Sequence, residues 1–245
     1  MKNSVNDDEI NKFSSLSKDW WDLNGKFKIF HKFNKARIQF IHETLINKYP
    51  QLMQNTINMI DIGCGVGVLA ESLLQNISWN HNTVLTGIDA SSEVIIEAKR
   101  HSKENNLNIN YIHKTAEDVL IENPKTYDIV FIMDVIEHVD NLPEFLNTVS
   151  KLLTPNGLVF VSTLSKNIKS LVLAKFMAEY VLNWVPKGTH DFNKFIKPST
   201  LNNLMQNNNL TLVEQKGIDL NLLNNSWQLA NNISINYIAC YQLKR

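Results

Sequence analysis

The run Asp61-Ile62-Gly63-Cys64-Gly65-Val66-Gly67 constrains this chain more than any other stretch of it. Its three alternate glycines follow an apolar, β-branched run and precede an amphipathic one. A chain that must turn sharply, or let a ligand touch its backbone, uses glycine because glycine takes left-handed φ at no steric cost. A helix that opens after such a turn presents unpaired N–H groups and the positive end of its dipole to whatever lies on the loop. The run therefore reads as a strand-to-helix turn that holds a ligand.

The same alternation continues along the chain. Apolar strand patterns fall at 57–62, 83–88, 110–113, 127–132, 158–163, 211–215 and 235–242, with helical patterns at 68–75, 92–105, 142–153 and 200–207. Regular strand–helix alternation predicts a mostly parallel sheet covered on both faces, a Rossmann-like α/β fold of seven strands. The last two strands lack a long helix between them and are expected as an antiparallel pair at the sheet edge. One domain over 1–245 is expected, with an N-terminal helical cap (1–50) and an insertion after the fifth strand (166–197). Both extras would lie over the strand ends, where ligands of such sheets bind.

Composition narrows the class. Lys plus Arg and Asp plus Glu each number 24, so no global field draws the chain to nucleic acid. No uncharged apolar run is long enough to span a bilayer, and residues 1–13 lack the apolar core of a secretory signal. Two distant cysteines, Cys64 and Cys240, fit a reducing compartment. A cytoplasmic location is expected.

Two ligand classes use a glycine turn of this kind. A dinucleotide fingerprint needs G-x-G-x-x-G, which would put its third glycine at 68, where Val68 stands instead. The D-x-G-x-G-x-G pattern resembles the first motif of class I methyltransferases, whose loop faces the amino-acid part of S-adenosylmethionine. Asp89 ends the second strand, and a carboxylate there suits the ribose hydroxyls of either class. Glu117, in Ala116-Glu117-Asp118 after the third strand, either receives an adenine amino hydrogen or is an ordinary N-terminal carboxylate of a short helix.

After the fourth strand comes Met133-Asp134-Val135-Ile136-Glu137-His138-Val139. Helical spacing would put Asp134 and His138 on one face of a turn, with Glu137 beside them. His138 or Glu137 can serve as general base toward a phenol, whose ordinary pKa is about 10. The three can alternatively hold a hard divalent ion such as Mg²⁺, or simply cap and hydrate the turn.

Longer strings carry a more specific resemblance. Trp20-Trp21-Asp22-Leu23-Asn24-Gly25-Lys26-Phe27-Lys28, His31-Lys32-Phe33-Asn34-Lys35-Ala36-Arg37, Ser162-Thr163-Leu164-Ser165-Lys166-Asn167, Val185-Pro186-Lys187-Gly188-Thr189-His190-Asp191 and Lys194-Phe195-Ile196-Lys197-Pro198 resemble the ubiquinone-biosynthesis O-methyltransferases over nearly the whole chain. The resemblance implies methyl transfer to phenolic hydroxyls of polyprenylated catechol and quinol intermediates at two steps; a small-molecule C- or O-methyltransferase with another acceptor is the competing reading. It implies S-adenosylmethionine contacts at Arg37, Gly63, Asp89 and Met133, with other enzymes of the pathway as partners; Gly65, within the glycine loop, is a further candidate cofactor contact. In eukaryotic relatives a Glu-x-x-Glu-His pattern is assigned Mg²⁺, and here Asp134, Glu137 and His138 occupy it. The chain departs from the family pattern at Lys35, at Asn156 and around Leu220-Asn221-Leu222.

The insertion has an amphipathic character of its own. Leu173, Phe176, Met177, Tyr180, Val181 and Trp184 recur at helical spacing between Lys166, Lys169 and Lys187. That composition suits a lid that also lies in a membrane interface, where a polyprenyl substrate resides at about 0.8 kcal/mol per buried CH₂, and a peripheral position on the inner (cytoplasmic) membrane is the matching expectation. Anionic liposomes are expected to float the intact protein and to leave a 166–197-deleted form behind; equal recovery of the two in a flotation gradient would end this reading.

Overall fold

Short continuous apolar runs, buried on both faces, build the central strands of the sheet. Residues 20–22, 24–25, 27–80, 82–166, 195–221 and 226–244 are described by a computed structural model. In chain order the elements are α1 (Lys28–Lys48), α2 (Pro50–Gln54), β1 (Asn58–Ile62), α3 (Val68–Asn76), β2 (Val84–Asp89), α4 (Ser92–Glu104), β3 (Asn110–His113), α5 (Ala116–Glu122), β4 (Tyr127–Met133), α6 (Leu142–Leu152), β5 (Leu153–Leu164), α7 (Pro198–Gln206), β6 (Leu210–Asn221), β7 (Ser226–Ala230) and β8 (Asn236–Leu243). Helix starts follow local chemistry. Ser91 caps α4 by accepting from Val94 N, and Thr115 and Asp118 form a reciprocal capping box on α5.

The strand order is β3-β2-β1-β4-β5-β8-β6-β7. Strands β1 to β5 run parallel, whereas β8 pairs antiparallel with both β5 and β6. The sheet has eight strands among the described residues where the sequence pattern gave seven. The eighth, β7, pairs antiparallel with an unexpectedly long β6 and was hidden because Ser226–Ala230 lacks a continuous apolar run. Antiparallel pairing of the last long strands is as expected, but β7 forms the outer edge.

Chain order reverses between β1, which runs on to β2 and β3, and β4, which runs on to β5. Open α/β sheets bind ligands beyond the carboxyl ends of the strands at such a switch point. Alternate residues feed the two faces. Met59, Ile129, Phe131 and Phe160 join Phe40, Ile41 and Leu45 of α1 and Leu69 and Leu73 of α3 in one core. Ile60, Val130, Ile132 and Val159 join Leu146 and Val149 of α6 and Leu201 of α7 in the other. The N-terminal helix is thus a structural layer as well as a cap, since its last turns are part of the first core. Most of the expected cap before it and the insertion at 167–194 lie outside the described residues, and among the described residues no helix is long and apolar enough to cross a membrane.

Phe160 is fully buried where α1 meets the sheet, stacked 5.7 Å from Phe131 and edge-on to Phe40 at 6.2 Å. Phe160→Ala should lower unfolding free energy by about 3–5 kcal/mol. Urea denaturation checks this, the expected result being a lower midpoint at an unchanged slope.

Candidate functional site

The glycine loop is held in an unusual backbone shape. Gly63, Gly65 and Gly67 have φ of 70°, 54° and 93°, all in the left-handed region. The N–H groups of Gly63 and Cys64 both donate to Ile88 O, at 2.8 and 3.0 Å, which fastens the loop to the end of β2. Two of the glycines are needed for close packing: a Cβ on Gly63 would lie 2.4 Å from Val135 Cγ2, and one on Gly67 would lie 2.1 Å from the Tyr111 hydroxyl. Gly65 is different. A Cβ there meets nothing within 4 Å, so its backbone faces open space.

Asp89 fixes the second wall. Its Oδ2 accepts from Gly65 N at 3.0 Å and its Oδ1 from Ser91 N at 2.9 Å. An ionised carboxylate has roughly four acceptor sites, so acceptor capacity remains for a ligand hydroxyl beyond the backbone bonds from Gly65, Ser91 and Ala90. Burial raises the Asp89 pKa, against the backbone hydrogen bonds from Ser91 and Gly65 that lower it. Glu117 is buried in the first turn of α5, beyond β3, whose His113 is in register with Asp89.

The floor between β1 and β4 is charged. Asp61 points into the interior, 2 % exposed, and its Oδ2 has no hydrogen-bond partner. Burial, and next the charge of Asp89, push its pKa up to about 8, with Arg37 pulling the other way. Arg37 is buried on α1, its guanidinium 4.4 Å above the Phe33 ring, and its Nη2 donates to Asp134 Oδ2. Asn34, one turn earlier, donates to Val68 O at 3.3 Å and Ser72 Oγ at 3.0 Å, so the same helix is tied to the start of α3. Met133 is buried at the end of β4.

The expected helical face of Asp134, Glu137 and His138 does not form. Asp134 has φ of 57°, and the turn closes with His138 N donating to Val135 O at 2.8 Å. A left-handed residue throws the three side chains in different directions. Asp134 turns to Arg37 and also accepts from Ser162 Oγ at 2.9 Å; Glu137 turns inward and accepts from Thr163 Oγ1 at 2.9 Å; His138 is left half-buried. Burial, then the Asp134 charge, push the Glu137 pKa up to about 7, while His138 lowers it. This donor set does not fit Mg²⁺, which wants several oxygens in octahedral array. One carboxylate is paired with arginine, the other is buried and readily protonated, and among the described residues no three His, Cys, Asp or Glu side chains group to hold an ion.

Five of the residues singled out from the sequence thus come together, with Arg37, Gly63 and Asp134 around the switch point and Gly65 bonded to Asp89 alongside. Asp61, Ser162 and Thr163 carry more of the site than the sequence suggested. Asp61 had a visible signal, a charged residue at an inward position of an apolar strand. The two hydroxyls stood only within a string that carries the family resemblance, with no role attached, because their place beside Asp134 and Glu137 depends on the register Met133↔Ser162. Trp21 packs outside the cleft, stacked on His101 of α4 at 3.5 Å, while the His31 ring donates to Trp20 O.

Residues 30–215 match the family model described as "Methyltransferase domain". The ubiquinone biosynthesis O-methyltransferase of Pelagibacter ubique is 42% identical over 241 residues, 97% of this chain and 98% of that protein. The protein of the same name from Rickettsia prowazekii is 37% identical, over 98% of this chain and 92% of its own length. The chain belongs to the ubiquinone biosynthesis O-methyltransferase family. Two solved structures share the fold of this family member. Magnesium protoporphyrin IX methyltransferase from Synechocystis, with bound SAH, superposes with TM-score 0.66 at 16% identity, covering 96% of this chain and 99% of that one. A possible histamine N-methyltransferase from Thermotoga maritima gives 0.63 at 13%, covering 96% and 99%.

The Asp61 carboxyl provides a direct check on this electrostatic arrangement. Folded Asp61 keeps its proton up to about pH 8, whereas its ordinary value is 3.8. Between those values the native state binds more protons than the unfolded chain, so the stability linked to Asp61 is present at low pH and is lost as pH rises through about 8. Asp61→Asn should therefore gain thermal stability relative to wild type between pH 5 and pH 9; a constant difference in Tm across that range would contradict it.

Proposed function

We propose that the chain is an S-adenosylmethionine-dependent O-methyltransferase of ubiquinone biosynthesis, acting on phenolic hydroxyls of polyprenylated catechol and quinol intermediates. One observation carries the donor assignment: Gly65 lies open in a left-handed loop while Asp89, bonded to that same Gly65, retains acceptor capacity for a ribose diol. The acidic surroundings support it. The carboxylates of Asp89 and Asp134 outnumber the one guanidinium of Arg37, a balance that favours a ligand carrying a sulfonium and an ammonium. Arg37 is suited to the donor's carboxylate, since a planar guanidinium gives charge-assisted contacts. Met133, at the end of β4, provides apolar wall for the nucleoside side of the cleft, and Glu117 is the candidate for the adenine amino group.

Bound S-adenosylmethionine supplies an already activated methyl group, so the chain's own residues chiefly orient the acceptor and exclude water. Half-buried His138 takes the phenolic proton, and Glu137, buried beside it and braced by Thr163, steadies the resulting imidazolium. No step is assigned to a metal, because Asp134 and Glu137 are turned to Arg37, Ser162 and Thr163. The full-length similarity to proteins named for ubiquinone biosynthesis supports the acceptor class. A peripheral membrane position, and contact with other enzymes of that pathway, rest on the amphipathic 166–197 stretch and on the apolar acceptor tail.

Turnover of a short-tailed catechol, read by mass spectrometry, tests the assignment. A gain of one methyl on oxygen is expected, and methylation at carbon would replace this acceptor reading. His138→Ala and Glu137→Ala should each cut kcat by about 10²-fold or more while calorimetry shows donor binding retained.

A further inference from the structure

The partner that Arg37 already has sets a problem for any ligand bringing its own carboxylate. The guanidinium is held firmly, 8 % exposed as a side chain, 4.4 Å from the centre of the Phe33 ring, with Nη2 on Asp134 and a buried Nε that has no partner. Asp134 is held differently. It sits on a left-handed residue after the strand end, its N–H donates to Ser162 O at 3.0 Å, and its Oδ1 accepts from Ser162 Oγ. Its side chain is 36 % exposed, so water can solvate the carboxylate once it leaves arginine, whereas the arginine has no comparable route to solvent.

We infer that Asp134 is a specificity-determining positioning residue, an internal carboxylate that occupies Arg37 and must share or surrender it when a carboxylate-bearing nucleoside binds. The inference rests on the donor reading above. Two carboxylates cannot both have the full strength of one guanidinium, so the competition lowers the apparent affinity of the ligand by the fraction of molecules in which Asp134 holds Arg37. The charged donor recovers part of that loss, because its sulfonium enters a cleft rich in carboxylates. The demethylated product carries the same carboxylate without the sulfonium and recovers nothing. Asp134 thereby weakens product retention more than donor binding, and Ser162 keeps it within reach of arginine for the next cycle.

Calorimetry with S-adenosylhomocysteine and with 5′-methylthioadenosine, which lacks the amino-acid carboxylate, tests this on the intact protein. Asp134→Asn preserves shape and tolerates left-handed φ, and Asp134→Gly removes the side chain without backbone strain. Both should bind S-adenosylhomocysteine about three- to fivefold more tightly than wild type, the scale of one partly exposed ion pair, with 5′-methylthioadenosine unchanged. A side chain that merely braces Arg37 would give the opposite sign, so unchanged or weaker S-adenosylhomocysteine binding in both variants overturns the inference while leaving the donor reading intact. A wild type that binds neither nucleoside overturns both. Equal tightening of the two nucleosides would also overturn it, since the carboxylate would then not be what Asp134 competes with.

Discussion

Asp89 joins two pieces of backbone that would otherwise be independent. From the end of β2 its carboxylate accepts from Gly65 in the loop and from Ser91 at the start of α4. With the Ile88 carbonyl taking the N–H groups of Gly63 and Cys64, the loop is clamped to the neighbouring strand by three hydrogen bonds. Net, each such bond is worth on the order of 1 kcal/mol, but leaving a buried carboxylate without them would cost more. Tyr111 supports the clamp from below, filling the space left by the missing side chains of Gly67 and Gly87. The loop shape, the open backbone at Gly65 and the direction in which α3 departs all follow from that clamp.

Around it the cleft concentrates charge in a manner a purely structural site would avoid. A buried carboxyl at Asp61 with an unpartnered oxygen and a carboxylate at Asp134 face one buried guanidinium, with Asp89 behind the glycine loop. Burying such groups together destabilises the fold, and the raised Asp61 pKa is one expression of that cost. Two apolar cores built from alternate strand residues offset it, and α1 belongs to both arrangements. Its C-terminal half contributes Phe40, Ile41 and Leu45 to the first core, while its N-terminal half places Asn34 and Arg37 at the cleft. The helix that carries Arg37 is therefore anchored by packing away from the cleft, which lets the arginine stay rigid.

The acid cluster after β4 divides its duties by direction. Left-handed φ at Asp134 sends that carboxylate to α1, and the turn closing at His138 sends Glu137 back to β5. Neighbours in sequence thus serve opposite sides of the strand end, one facing Arg37 of α1 and the other Thr163 of β5. A single helical turn could not do this, because residues four apart on a helix share a face.

Local chemistry was legible before the fold was known: glycines where the backbone must be left-handed, Asp89 at the end of its strand, Ser91 and Thr115 where helices begin, and apolar alternation that feeds two cores. These are contacts within a few residues, and side-chain chemistry alone dictates them. What only the tertiary structure decided involves residues far apart in the chain. Arg37 and Asp134 are 97 positions apart, and Thr163 and Glu137 are 26, and each pair meets because of strand register and helix docking. The same holds for β7, whose mixed composition becomes a strand only because the long β6 offers an edge. Spacing alone grouped Asp134, Glu137 and His138 as one cluster, but a single backbone torsion separated them, since register and torsion are properties of the packed chain rather than of any one segment.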